Sequence, residues 1–292
     1  MRGHREPFDP AYTGQSFIGA KDGYEAARAV IYGMPMDWTT SFRPGTRLGP
    51  RRIREVSLGL EEYSPYLDRS LLDASFVDMG DIPLPFGNPD RSLAMIEEYV
   101  GKWLDDGKFP LGLGGEHLVT LGVMRAVAKR IPEVALVHFD AHTDLRDQYE
   151  GEQLSHSAVI KKVAGFVDPA NIFQFGIRSG TREEFAWAKK HTNFYPFDVL
   201  EPLRGCLARL EGRPIYVTVD IDVLDPAHAP GTGTAEAGGI TSKELLASIH
   251  AMKGLNVVGF DLVEVAPVLD ATEQTQIVAA KVVREALLAF AD

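Results

Sequence analysis

Four short segments hold most of the residues able to do chemistry: Gly-Gly-Glu-His at 114–117, Asp-Ala-His-Thr-Asp at 140–144, Leu-Ser-His at 154–156 and Asp-Ile-Asp-Val-Leu-Asp-Pro at 220–226. Asp140, His142 and Asp144 alternate, so in an extended segment all three point to one side, and Asp220 and Asp222 repeat that spacing. With His117 they make four carboxylates and two imidazoles, enough for two divalent cations if one or two aspartates bridge. Two cations about 3.5–4 Å apart bind and activate one water between them. Carboxylate-rich ligation without thiolates favours Mn²⁺ over zinc and admits Co²⁺ or Ni²⁺. Taken singly, Asp-x-His-x-Asp is more often a solvated loop, Asp-x-Asp is weaker still, and Gly-Gly-x-His is often a strand-to-helix turn. The combination, in register with three strand ends, points to a binuclear site.

The elements that must position these residues are legible as alternation. Short β-rich runs fall at 29–32, 74–79, 110–113, 134–139, 172–177, 193–196, 215–219 and 257–262, with helical spacing at 93–104, 118–130, 182–190, 242–252 and 274–290. Strands alternating with helices predict parallel βαβ units in an α/β sheet of about eight strands covered on both faces. Three of the four motifs then follow a strand directly, at the carboxyl rim where open α/β sheets bind ligands. A carboxylate buried at such a strand end needs cationic compensation, and no Lys or Arg lies within these motifs. Residues 33–50 and 225–239 are long Gly- and Pro-marked loops, a length that is usually functional inside a compact domain. No repeat or linker divides the chain, so we expect one domain over residues 1–292, with residues 1–25 as an arm packed on the body or on a neighbouring subunit.

Composition narrows the partners. Asp and Glu number 41 against 30 Lys and Arg, a net charge of −11, which repels phosphate backbones and draws cations. Nucleic acid is therefore not expected as a partner. Cys206 is the only cysteine, so there is no internal disulfide and no thiolate-rich metal site. The start lacks the apolar core of a secretory signal, and no run of about 18 apolar residues offers a membrane span. The expected place is the cytoplasm. No Gly-x-Gly-x-x-Gly follows a strand, so no nucleotide cofactor is indicated. Arg178 and His138 read as structural supports inside the sheet, and Trp38 and Phe42 as packing or pocket wall.

The four motifs, together with residues 32–55, Phe-Gly-Ile-Arg-Ser-Gly at 175–180, the run 220–239 and Asp-Leu-Val-Glu-Val-Ala-Pro at 261–267, resemble the ureohydrolases, the arginase and agmatinase family. The resemblance covers nearly the whole chain from about Val30. It implies a three-layer α/β/α sandwich (arginase/deacetylase-like) and trimers or hexamers. It also implies two Mn²⁺ per subunit: His117, Asp140, Asp144 and Asp220 around one ion, and Asp140, His142, Asp220 and Asp222 around the other. By position His156 matches a mobile histidine near the substrate, and Glu264 the carboxylate that holds a guanidinium. Thr234, in the Pro-Gly-Thr-Gly-Thr run, joins the substrate-binding set. That run, with Glu236 and Gly238–Gly239, is similar to the agmatinases, which implies agmatine and water giving putrescine and urea in polyamine biosynthesis. Ser157 stands where the family usually has Gly, and Ala235 and Ala237 stand where agmatinases often have Pro; none of these is in the implied ligand set.

The residues agree with that chemistry. A metal-lowered water pKa supplies the nucleophile a guanidinium requires, and an imidazole that titrates near neutral pH suits proton transfer. The segment 145–154 links Asp144 to His156 and carries Asp147, Glu150 and Glu152 against Arg146, a balance suited to a small dication. Other guanidino substrates (guanidinobutyrate, guanidinopropionate, arginine, formiminoglutamate) form the enzymatic alternative. A non-catalytic regulatory relative would lack ligands, and a metal-dependent deacetylase would lack the Glu264 segment.

Overall fold

The computed structural model describes residues 15–21 and 23–291. The central sheet is made of β1 (Ala29–Met34), β4 (Phe76–Asp81), β5 (Phe109–Gly114), β6 (Ala135–Phe139), β7 (Ile172–Ile177), β8 (Asn193–Pro196), β9 (Ile215–Asp220) and β10 (Val257–Val263). All eight strands are parallel, in the order β4-β1-β5-β10-β9-β6-β7-β8. A small antiparallel hairpin, β2 (Tyr63–Ser64) and β3 (Arg69–Ser70), stands apart.

Two apolar cores flank the sheet. One is closed by α1 (Gly49–Ser57), α6 (Leu200–Leu210), α7 (Ser242–Ala251) and α8 (Gln274–Phe290) through Ile53, Leu203, Leu245 and Val283. The other is closed by α2 (Pro89–Asp105), α3 (Val119–Arg130), α4 (Val159–Val163) and α5 (Arg182–His191) through Leu93, Val123, Ile160 and Ala188. With both faces covered, β6 and β9 are buried along their whole length, which explains why they read as unbroken apolar runs. The result is the expected three-layer α/β/α sandwich.

Three helices lie outside the expected set, α1, α4 and α6; α4 spans only five residues, and the other two have a local reason. The α1 stretch, Gly-Pro-Arg-Arg-Ile-Arg-Glu-Val-Ser, offers only Ile53 and Val56 as an apolar stripe; Pro at its start, which suits a first helical turn, was its signal. In α6, Pro202 and Gly205 mask an apolar face at 203, 206, 207 and 210.

Part of the expected arm, residues 1–14 and Asp22, lies outside the described residues. Within it, Phe17 is buried, and its N–H donates to Asp78 Oδ2 (2.8 Å). The same carboxylate takes the fully buried Arg54 guanidinium in two bonds of 2.8 and 3.0 Å. No helix among the described residues is long and apolar enough to cross a membrane.

Candidate metal centre

Four neighbouring strands in the middle of the sheet, β5, β10, β9 and β6, end side by side. Their carboxyl ends deliver His117, Glu264, Asp220 with Asp222, and Asp140 through Asp144. The convergence does not come from extended alternation, contrary to the spacing argument. Asp220 caps a 3₁₀ turn, Ile221–Val223, and its Oδ1 accepts the Asp222 N–H (2.9 Å). Asp140 Oδ1 accepts the His142 N–H (2.5 Å), and Asp144 adopts a left-handed φ of 51°. Tight turns, rather than a pleat, fold these side chains back over the sheet edge.

His117, His138, Asp140 and Asp144 each offer an atom within 4.8 Å of the others, and so do Asp140, His142 and Asp222; Asp140 belongs to both groups. His117 Nδ1 lies 3.1 Å from Asp140 Oδ2, 3.2 Å from Asp144 Oδ2 and 3.3 Å from Asp220 Oδ2. On the other side, His142 Nδ1 is 2.9 Å from Asp222 Oδ2 and 3.5 Å from Asp140 Oδ1. His138 is no free ligand. Its Nε2 is 2.7 Å from Asp140 Oδ2, and Gln174 Nε2 donates to its Nδ1 (3.2 Å), so both ring nitrogens are engaged and His138 holds Asp140 in place.

The His117 tautomer follows from a relay behind it. Thr218 donates its hydroxyl to buried Asp261 (2.5 Å) and so accepts from His117 Nε2–H (3.0 Å). That leaves a lone pair on Nδ1 facing three carboxylate oxygens. His117 Nδ1, Asp222 Oδ2 and Glu264 Oε2 are all buried without a hydrogen bond. Convergent, unpartnered donor atoms are what a bound cation satisfies. This donor set fits divalent metal.

The electrostatics report the same crowding. Burial, reinforced by Asp222 and Asp140, pushes the Asp220 carboxyl well above the usual range. Burial also raises Asp140, but His138, His117 and His142 outweigh it and hold that carboxyl well below the usual range.

Gly115 lets the β5 turn approach the first long loop: a Cβ there would lie 2.0 Å from the Met36 carbonyl oxygen. Gly115→Ala is expected to cost about 1–3 kcal/mol of stability and to weaken metal binding at His117. Thermal unfolding and metal titration check this; an unchanged Tm would show that the Met36 backbone gives way freely.

Glu264 has a left-handed φ of 64°, and its Oε1 accepts the His117 backbone N–H (2.8 Å) and faces His156 Nδ1 (3.1 Å). His156 lines a cavity of about 310 Å³ together with Ser41, His142, Asp144, Asp220 and Thr234. Burial lowers the His156 imidazole, but Glu264 beside Nδ1 outweighs it and lifts the pKa to about 9. That shift favours the protonated ring, and the Ser41 backbone N–H opposes it: it is aimed at Nε2 (3.1 Å) and cannot accept from it, so this contact favours a ring with its single proton on Nδ1.

The loop acids divide. Glu150 and Glu152 line an outer cleft of about 660 Å³ that shares Ser41 and Tyr149 with the inner cavity. Asp147, expected beside the substrate, lines neither cavity; its side chain is 85% exposed and lies 3.5 Å from Lys161. The cleft is lined by the continuous stretch 149–155, and Asp147 precedes it. Arg178 is structural: it donates to the carbonyls of Asp222, Val223, Leu224, Glu236 and Ala237, riveting the second long loop beneath the site.

Sequence reasoning missed Glu116, Thr39, Ser41, Thr218 and Asp261. Asp261 carried a usable signal, a lone acid inside the apolar run of β10. Thr39 and Ser41 carried none, because loop hydroxyls are common.

A family model described as Arginase family matches residues 27–289. The chain is 65% identical over 286 residues to the agmatinase of Bacillus anthracis, covering 97% of this chain and 99% of that protein. It is 63% identical to the agmatinase of Bacillus subtilis (strain 168) over the same length and shares. Among solved structures, the agmatine ureohydrolase of Thermoplasma volcanium superposes with a TM-score of 0.87 at 32% identity, covering 96% of this chain and 95% of that one.

Proposed function

The chain belongs to the arginase family, and from that premise we propose that it hydrolyses agmatine to putrescine and urea on a pair of divalent cations. The observation that carries the reading is the two His/Asp groups sharing Asp140 at adjacent strand ends, with the His117 Nδ1 lone pair turned into them. Near-full-length similarity to agmatinases supports the substrate class.

His117, Asp140, Asp144 and Asp220 would hold one ion, and Asp140, His142, Asp220 and Asp222 the other, with Mn²⁺ as the metal this carboxylate-rich set favours. When bound, the two cations supply what neutral water lacks, nucleophilic strength near pH 7. Glu264 offers its unpartnered Oε2 to the guanidinium, which resonance keeps both protonated and unreactive. Thr234 lines the same cavity and contacts the substrate. Asp140 or Asp220 accepts the attacking water's proton and relays it toward the departing nitrogen as the carbon–nitrogen bond breaks. His156 gives or shuttles a proton to the leaving amine. We further propose that the chain works as one ureohydrolase domain in the cytoplasm, assembled as a trimer or hexamer, in putrescine supply.

The direct test is urea release from agmatine after Mn²⁺ loading; a loaded protein that releases none would end the proposal. A second experiment separates proton handling from metal binding. His156→Ala should keep its metal content while kcat falls by about 10²–10⁴, the usual worth of general acid–base catalysis. Loss of manganese in that variant would make His156 a ligand, and unchanged kcat at every pH would make it structural.

A further inference from the structure

Two hydroxyl residues of the first long loop grip His156 from different sides. Thr39 Oγ1 accepts the His156 backbone N–H (3.1 Å), and Ser41 brings both its backbone N–H (3.1 Å) and its Oγ (2.8 Å) to the ring Nε2. Thr39 is itself anchored. Glu116 Oε2 accepts its N–H (2.8 Å) and its hydroxyl (2.9 Å). Glu116 is fully buried beside His117, two residues past the end of β5, and its own N–H donates to the Met36 carbonyl (2.7 Å), so the anchor ties the end of β5 to the first long loop.

The polarity of this chain is determined at both ends. A threonine hydroxyl has one proton; here Glu116 takes it, so a lone pair faces the His156 N–H. A backbone N–H cannot accept, so the Ser41 N–H favours a lone pair on Nε2, with the ring proton on Nδ1 and the Ser41 hydroxyl as a second donor. Nδ1 faces Glu264, on the side where a guanidinium would be held.

We infer that Thr39, Ser41 and Glu116 are positioning residues for His156: they orient its ring, select its Nδ1–H form and hold its proton on the guanidinium side. The inference rests on the proposed role of His156 as proton carrier. Misplacing a catalytic group by about an ångström can cost about 100-fold in rate, so the loop's grip has a measurable kinetic value.

The test is a double-mutant cycle on the manganese-loaded protein, with metal content and Tm measured for each variant. Thr39→Val keeps the side chain's shape but removes the acceptor; kcat should fall by about 10- to 100-fold with KM within about threefold and two ions still bound. Thr39→Ser should recover most of the loss. Glu116→Leu should repeat the Thr39→Val loss. In a His156→Ala background Thr39→Val should add nothing, because the residue it serves is gone. An equal loss in both backgrounds would overturn the inference, as would wild-type kcat in Thr39→Val while His156→Ala is impaired. Wild-type kcat in His156→Ala would instead remove the proton-carrier reading, and this inference with it.

Discussion

Asp220→Asn is expected to lose its metal and nearly all turnover while folding normally. Asp220 closes β9, caps the turn that carries Asp222, and places Oδ2 3.3 Å from His117 Nδ1. In the proposed assignment it is shared by both ions, so a neutral amide weakens both sites together. The same change relieves the apo protein, in which burial and the neighbouring Asp222 and Asp140 already push the Asp220 carboxyl well above the usual range. Metal-free Asp220→Asn should therefore melt no lower than metal-free wild type, yet fail to gain stability when Mn²⁺ is added, because a ligand stabilises only the fold it binds. Glu183→Gln, on the exposed face of α5, should change neither activity nor metal response. Full activity of Asp220→Asn after exhaustive chelation would sink the two-ion mechanism.

How much of this was legible depended on whether the signal was local. Every strand of the central sheet follows from a short apolar run, and the βα alternation then places three motifs at strand ends without further information. The residue types at His117, Asp140, His142, Asp144, Asp220 and Asp222 were readable for the same reason, since each follows a strand closely. Their backbone was not. The 3₁₀ turn at Ile221–Val223, capped by Asp220 itself, and the left-handed Asp144 leave no trace in an alternating pattern, and an extended pleat was the wrong picture of how the carboxylates meet. The supporting relay from Asp261 through Thr218 to His117, and the grip of Thr39 and Ser41 on His156, span roughly forty to well over a hundred residues. Only the folded sheet brings them together. Asp147 points outward while Glu150 and Glu152 line the cleft, because a loop's composition does not say which of its side chains face inward.

The second large effect is substrate choice: kcat/KM for agmatine should exceed that for arginine by at least about 10³-fold, roughly 4 kcal/mol. Both molecules carry the same guanidinium, so the cluster and Glu264 cannot distinguish them. Discrimination must lie at the far end, where agmatine has an ammonium and arginine adds a carboxylate. The outer cleft is lined by Asp90, Glu150 and Glu152 with Trp38 and Tyr149, and no Lys or Arg is among its lining residues. In the inner cavity the one Lys or Arg among the lining residues is Arg146, whose Nε lies 3.9 Å from Glu184 Oε1. An ammonium is favoured in the outer cleft, where a carboxylate meets like charge and no lining Lys or Arg, a juxtaposition that costs several kcal/mol. Glu150→Gln with Glu152→Gln should narrow the ratio mainly by raising KM for agmatine. Better turnover of guanidinobutyrate than of agmatine would overturn the substrate while leaving the ureohydrolase chemistry standing.

The central claim is that two cations, held by this one cluster, carry out the hydrolysis of agmatine. The most direct measurement is to strip the protein with chelator, add Mn²⁺ in known amounts and follow urea release from agmatine against metal bound per chain. The account predicts no release from the stripped protein and a rise that completes only when two ions are bound. Full release from the metal-free protein, or at one ion per chain, would contradict it.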